Sequence, residues 1–182
     1  MEEIVLLSGP KFELTIQRLC FQLIENHSSF KDTVLIGLQP RGIFLMDRIN
    51  DFLIQKNIKH LQSGYLDPTF HRDDVRRTGA IILPSAQTIN FSIENKNVIL
   101  IDDVLFTGRT IRAGLDAMLA FGRPAKVELL VLINRKYSRH LPIAPDYVGK
   151  SIDTILTDKI NVHWQETDGE DGVWMLSEDK IE

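Results

Sequence analysis

Val98-Ile99-Leu100-Ile101-Asp102-Asp103-Val104-Leu105-Phe106-Thr107-Gly108-Arg109-Thr110 is the stretch on which the fold of this chain turns. Its first four residues are a near-continuous apolar run, the pattern of a parallel strand covered on both faces. A loop runs from Asp102 to Gly108. Beyond it Ile111, Leu115, Met118 and Leu119 share one helical side until Gly122 and Pro124 stop the helix. Val127 to Ile133 is the next apolar strand. Upstream, Val34-Leu35-Ile36-Gly37-Leu38 reads as another buried strand, broken by Gln39-Pro40-Arg41-Gly42 and followed by a helix over 43–56. A first helix starts at Ser8-Gly9-Pro10, with Ser8 as cap and Phe12, Ile16, Leu19 and Leu23 at helical spacing. Shorter strands fall near 160–164 and 172–176. Strand and helix in alternation predict an α/β fold with a parallel sheet. Ligands bind such sheets at the C-terminal strand ends, where the loops 37–42 and 102–110 stand.

Composition narrows the class. The chain has 182 residues, enough for one domain, and 43% apolar with 25% charged residues is globular. With 21 basic and 25 acidic side chains the net charge is −4, not the footprint of a general nucleic-acid binder. The single cysteine, Cys20, allows no internal disulfide and reads as a small buried residue. No apolar run is long enough to cross a membrane as a helix. Met1-Glu2-Glu3 lacks the basic start of a signal peptide, so the expected location is the cytoplasm. Tyr65 to Asn90 is rich in charge and turn residues, and Ala80–Leu83 and Thr88–Phe91 are β-prone. This segment reads as a mobile arm, in hairpin form, over about 67–92.

The central loop carries chemistry. Two adjacent carboxylates, Asp102 and Asp103, arrive at the sheet edge. Thr107, Gly108, Arg109 and Thr110 then open a helix, and amides and hydroxyls there suit a phosphate monoester. Carboxylates one step upstream can accept hydrogen bonds from vicinal hydroxyls. The combination fits a sugar bearing a phosphate and a free diol. It is not a P-loop, since G-x-x-x-x-G-K-[ST] is absent. His71-Arg72-Asp73 echoes a kinase catalytic loop, but Thr78 stands where that motif needs Asn, and no Asp-Phe-Gly follows. Asp168 to Asp171 reads as a solvated acidic turn without a calcium-loop pattern.

The 98–110 stretch resembles the phosphoribosyl-diphosphate motif of type I phosphoribosyltransferases. With Gly122-Arg123-Pro124, Leu141-Pro142-Ile143, Asp146-Tyr147-Val148-Gly149-Lys150 and Leu66 to Asp74, it resembles the PyrR family of pyrimidine-operon attenuators that are also uracil phosphoribosyltransferases. The likeness runs from about residue 34 onward and is weaker over the first 30. It implies a single domain over 1–182 with a core of about 1–135, to which 155–182 contributes, and a hood of about 136–182. It implies that Asp102 and Asp103 hold the ribose hydroxyls, that Thr107, Gly108, Arg109 and Thr110 hold the 5′-phosphate, and that Arg41 faces the departing pyrophosphate. Arg72 on the arm and Asp103 take the catalytic roles. Phe106, Tyr147 and Val148 face the base. Phe106 replaces the acid that hypoxanthine-guanine enzymes carry there, which favours a pyrimidine. Magnesium is implied as a substrate-bound ion with no direct protein ligand.

The implied reaction joins uracil to phosphoribosyl diphosphate, giving UMP and pyrophosphate, in a homo-oligomer of two or more subunits. The apolar first helix is available to serve an interface. A rival function is an RNA-binding attenuator that senses UMP and binds an mRNA leader, with Arg135, Arg139 and Lys150 as RNA contacts. Ala144, Ile16 and Cys20 stand where such attenuators carry polar or basic residues, which ranks this reading lower. A third is a phosphoribosyltransferase for orotate or a purine.

Overall fold

A computed structural model describes residues 2–71, 88–154 and 158–177. Arg72 and most of the 67–92 arm lie outside the described residues.

The core is a five-stranded, all-parallel sheet in the order β3-β2-β4-β5-β6. Its strands are β2 (Thr33–Leu38), β3 (Gln62–Leu66), β4 (Asn97–Leu105), β5 (Lys126–Lys136) and β6 (Tyr147–Asp153). Alternation within β2 and β4 decides what each face packs against. Leu35, Ile99 and Ile101 point into a cluster with α1 (Gly9–His27) and α2 (Gly42–Gln55). Val34, Ile36, Leu38, Val98 and Leu100 point the other way, onto Ile111, Ala117 and Met118 of α3 (Arg109–Met118). Both faces of β4 are therefore dry, which is why its sequence shows a run and no alternation. After α3 a short 3-10 turn, Leu119–Phe121, leads to Gly122 at φ +128°. Ser8 does precede α1 in extended backbone and Pro10 lies in the first turn, but the Ser8 hydroxyl makes no capping bond.

A second, antiparallel sheet covers the C-terminal end of the core, in the order β1-β8-β7. It joins β1 (Glu2–Ser8) to β8 (Gly172–Ser177) and β7 (Lys159–His163), with the short helix α4 (Gln165–Asp168) between β7 and β8. This hood differs from the expected 136–182. β6 is an edge strand of the core, pairing Tyr147 with Leu130 and Lys150 with Ile133. β1, from the other end of the chain, is part of the hood, pairing Val5 with Trp174. The expected strand Thr88–Phe91 is not a strand. It lies against β3 through Thr88, whose hydroxyl accepts the Tyr65 N–H at 2.8 Å.

The apolar stripe of α1 is spent inside the subunit: Phe12, Ile16, Leu19, Cys20 and Leu23 are all buried. Burial pushes the Cys20 thiol up to about 12, so it stays a neutral packing group.

Candidate active site

The carboxylate pair sits where β4 leaves the sheet. Asp102 pairs in register with Val131 of β5, and both acids are largely covered. Each carboxylate accepts the next backbone amide: Asp103 N–H donates to Asp102 Oδ1 at 3.0 Å, and Val104 N–H to Asp103 Oδ1 at 2.7 Å. These bonds fix the side-chain direction before any ligand arrives. Gly42, at the start of α2, lets the 37–42 loop close on the same point. A Cβ there would stand 2.6 Å from Ile101 O and 2.9 Å from Asp102 Cα.

Phe106 to Gly108 turns the chain into α3. Gly108 takes φ +91°, a conformation that favours glycine, and its carbonyl accepts the Arg112 N–H at 3.0 Å. The first amides of α3 have no carbonyl within the helix to bond to and gather at one spot. Asp102 and Val104 to Ile111 line a cavity of about 310 Å³ over that spot. A second cavity, about 270 Å³, lies under the hood and is lined by Arg41, Asp103, Ile160 to His163 and Asp168. Asp102 lines the first and Asp103 the second, so each cavity holds one member of the acid pair.

Arg41 bridges loop and hood. Its Nε lies 3.6 Å from Asp103 Oδ2, and its Nη2 donates to Asp168 Oδ2 at 2.9 Å and to the Val162 carbonyl. Asp168 also accepts the Trp164 N–H and the Thr167 hydroxyl, each at 2.9 Å. The Trp164 amide, the Thr167 hydroxyl and Arg41 hold the Asp168 carboxyl down at about 2. The acidic turn is exposed, as the sequence reading has it, and is also anchored to the 37–42 loop through Asp168.

Asp103 goes the other way. Burial raises its pKa above the usual carboxylate range, and Arg41 offsets only part of that. A carboxylate needed as a hydrogen-bond acceptor is then lost at a milder acidity than usual. With Asp103 in the ribose-binding role that the sequence resemblance implies, phosphoribosyl-diphosphate affinity is expected to fall as pH drops through the raised Asp103 pKa, above 3.8, and to level off at higher pH. Calorimetric titration across pH checks this, with Asp103→Asn expected to flatten the acid limb.

Several predicted contacts lie elsewhere. Tyr147 is at the start of β6, away from the C-terminal strand ends, and its hydroxyl meets Asn26 Nδ2 at 3.0 Å and His27 Nε2 at 3.1 Å. Val148 packs in the sheet, and its carbonyl accepts Arg18 at 3.0 Å. Neither reaches the cavities, because the segment holding them is core strand and not hood. The basic trio is also turned inward. Arg139 donates to the carbonyls of Leu105 (3.1 Å), Phe106, Arg135 (3.1 Å) and Ile143 (3.2 Å) and to Asn134 Oδ1. Arg135 is buried, donates to Thr154 Oγ1 at 3.0 Å, and lies 3.9 Å over the Phe106 ring. Lys150 donates to Leu6 O at 2.8 Å. Their charge is engaged in holding the loop and the β1 strand, with Arg139 and Lys150 left partly exposed.

Sequence reasoning missed Asp168 and the β7 residues Ile160 to His163. The available signal was Trp164-Gln165-Glu166-Thr167-Asp168, an apolar anchor followed by an acid one helical turn later. Among the described residues no three His, Cys, Asp or Glu side chains converge as a metal cage. Among them, too, no helix is long and apolar enough to cross a membrane.

Comparison with known proteins agrees with the fold. The phosphoribosyl transferase domain model matches residues 5–170. The bifunctional protein PyrR of Desulfosudis oleivorans is 44% identical over 167 residues, 92% of each chain. That of Actinobacillus pleuropneumoniae is 42% identical over 176 residues, 97% of each chain. Among solved structures, a hypoxanthine phosphoribosyltransferase of Staphylococcus aureus shares the fold at TM-score 0.69 and 22% identity, covering 98% of this chain and 94% of its own. The HGPRT-ase of Leishmania tarentolae in complex with GMP does so at TM-score 0.70 and 14% identity, covering 98% and 99%.

Proposed function

Because the chain belongs to the phosphoribosyl transferase family and, within it, to the PyrR proteins, we infer that it is a uracil phosphoribosyltransferase and a regulator of pyrimidine genes. The observation that carries the catalytic reading is the pair of cavities that Asp102 and Asp103 line.

Substrate fits this arrangement in one direction. The 5′-phosphate takes the N-terminus of α3 with Thr107, Gly108, Arg109 and Thr110. The ribose diol meets Asp102 and Asp103. The diphosphate then points to the 37–42 loop, where Arg41, held by Asp168 and facing Asp103, meets the phosphate oxygens. The base enters between Phe106 and the hood strand β7. Phe106, held under the Arg135 guanidinium, offers an apolar surface and no carboxylate for a purine amino group. Uracil N1 attacks the anomeric carbon, the carbon–oxygen bond to diphosphate breaks, and the N1 proton is lost. The protein orients two substrates, excludes water beneath the hood, and places cations where charge builds on the leaving group. Asp102 and Asp103 act as ribose acceptors, neither as the sole general base. Magnesium, a hard cation suited to phosphate and carboxylate oxygens, supplies neutralisation of the diphosphate when bound. Arg72, outside the described residues, keeps its proposed role as a second cation at the diphosphate.

UMP made here also fills the site, which gives a regulator its signal. An mRNA leader is the proposed partner. A cytoplasmic homo-oligomer completes the reading; Leu14 and Phe21, exposed on the outer side of α1, are its available apolar contacts.

The test is a product assay with phosphoribosyl diphosphate, magnesium and each of uracil, orotate, hypoxanthine, guanine and xanthine. UMP from uracil, with the other bases inert, is the expected result. Turnover of a purine in preference to uracil overturns the base assignment. No turnover with any base, while UMP binds, makes the site a sensor only.

A further inference from the structure

Arg48 lies on α2, past the 37–42 loop, and reaches up to the hood. Its Nη2 donates to Glu166 Oε1 at 3.1 Å and Oε2 at 2.9 Å, and stands 2.7 Å from Asp171 Oδ1. Its guanidinium sits 4.9 Å over the ring of Trp164, which is fully buried. Burial works against its charge, but the hydrogen bonds to Asp171 and Glu166 outweigh that and raise its pKa. Asp171 in turn accepts the Gln165 N–H at 2.9 Å, so both ends of the α4 turn are tied to one cation.

Asp168 lies between those two anchor points. It is the residue that holds Arg41, which in turn faces Asp103 at 3.6 Å. The turn carries Glu166, Asp168, Glu170 and Asp171 within six positions, and Asp47 of α2 adds to the charge around Glu166. Of these, Glu170 has His163 at 3.4 Å and Asp168 has Arg41. Without Arg48, Glu166 and Asp171 would face each other and Asp47 with no cation between them, and like charges would push the turn off the core.

We propose that Arg48 is a positioning residue for the transferase reaction: by clamping the hood turn through Glu166 and Asp171 it sets the height of Asp168, and through it the place of Arg41 beside the diphosphate. It touches no substrate. The inference rests on the catalytic reading above, since Arg41 must serve the diphosphate for its placement to matter.

A kinetic cycle tests it. Turnover with uracil, and phosphoribosyl-diphosphate affinity by calorimetry, are measured for the wild type, Arg48→Gln, Arg41→Ala and the double variant. Arg48→Gln alone is expected to lower kcat/KM about tenfold, and the same change in the Arg41→Ala background less than about twofold. Arg48→Lys, which keeps the charge but not the fork, should recover part of the loss. Glu166→Gln with Asp171→Asn, which removes the acceptors and leaves Arg48 against Trp164, should reproduce the loss and the coupling to Arg41. This pair carries the test if Arg48→Gln fails to fold. A full tenfold loss in both backgrounds means a general packing role and overturns the proposal, as does no loss in the wild-type background. A wild type that binds phosphoribosyl diphosphate but does not turn over defeats the catalytic reading instead, and the same cycle is then decided on affinity.

Discussion

Asp103→Asn should lower kcat/KM for phosphoribosyl diphosphate by about 100-fold or more, with the fold intact. Amide and carboxylate are nearly isosteric, and the Val104 N–H can still bond to the remaining carbonyl oxygen at this position. What disappears is a charged acceptor for the ribose diol and the anion that faces Arg41 at 3.6 Å. Hydrogen bonds to charged groups contribute about 1.5–3 kcal/mol each, and 1.4 kcal/mol is about one decade, so two lost contacts account for the effect. Steady-state kinetics beside a thermal melt separate the two readouts. Wild-type kcat/KM in this variant would remove Asp103 from the ribose site.

Arg139→Ala is expected to destabilise the protein by about 2–4 kcal/mol, leaving carbonyl groups that the guanidinium now satisfies. Those carbonyls belong to Leu105 and Phe106 at the end of β4, to Arg135 near the end of β5 and to Ile143 beyond it. The cation therefore ties the phosphate loop to the β5–β6 connection, with the His140 N–H adding a bond to Thr107 O at 3.0 Å. The loop should loosen before the domain melts, so phosphoribosyl-diphosphate affinity should fall as well. Urea unfolding and calorimetry check both. A variant with unchanged stability and substrate affinity but weakened RNA binding would mark Arg139 as an RNA contact.

These two residues show what the sequence makes legible. The place of Asp103 near the end of β4 could be read because a strand dry on both faces, a glycine and a helical stripe follow one another with no gap. Each of those signals is local. The inward contacts of Arg139 could not be read, because a charge in a sequence carries no direction; only the fold shows that its guanidinium meets five acceptors. The strands that escaped notice share a cause. β3, Gln62-Ser63-Gly64-Tyr65-Leu66, is an edge strand with few apolar residues. β6 is the opposite edge, where Tyr147 spends its hydroxyl on Asn26 and His27 of α1 and its sequence looks polar beside β4. The anchoring of Asp168 was not legible because its partners, Arg41 and the Trp164 amide, are set by tertiary packing and by a short helix with no periodicity of its own.

The pairing of β1 with β8 also has a consequence for how the molecule is made. Val5 leaves the ribosome long before Trp174, the residue it must lie beside. The core strands β2 to β6 can assemble from 33 to 153 while synthesis continues, but the roof over the active site cannot close until β8 emerges. Until then β1, with Ile4, Val5, Leu6 and Leu7, is an unpaired apolar edge, the kind of segment that invites association between nascent chains. Catalytic competence is thereby tied to the emergence of β8, and an extension placed directly ahead of β1 adjoins the roof of the active site and not a remote surface.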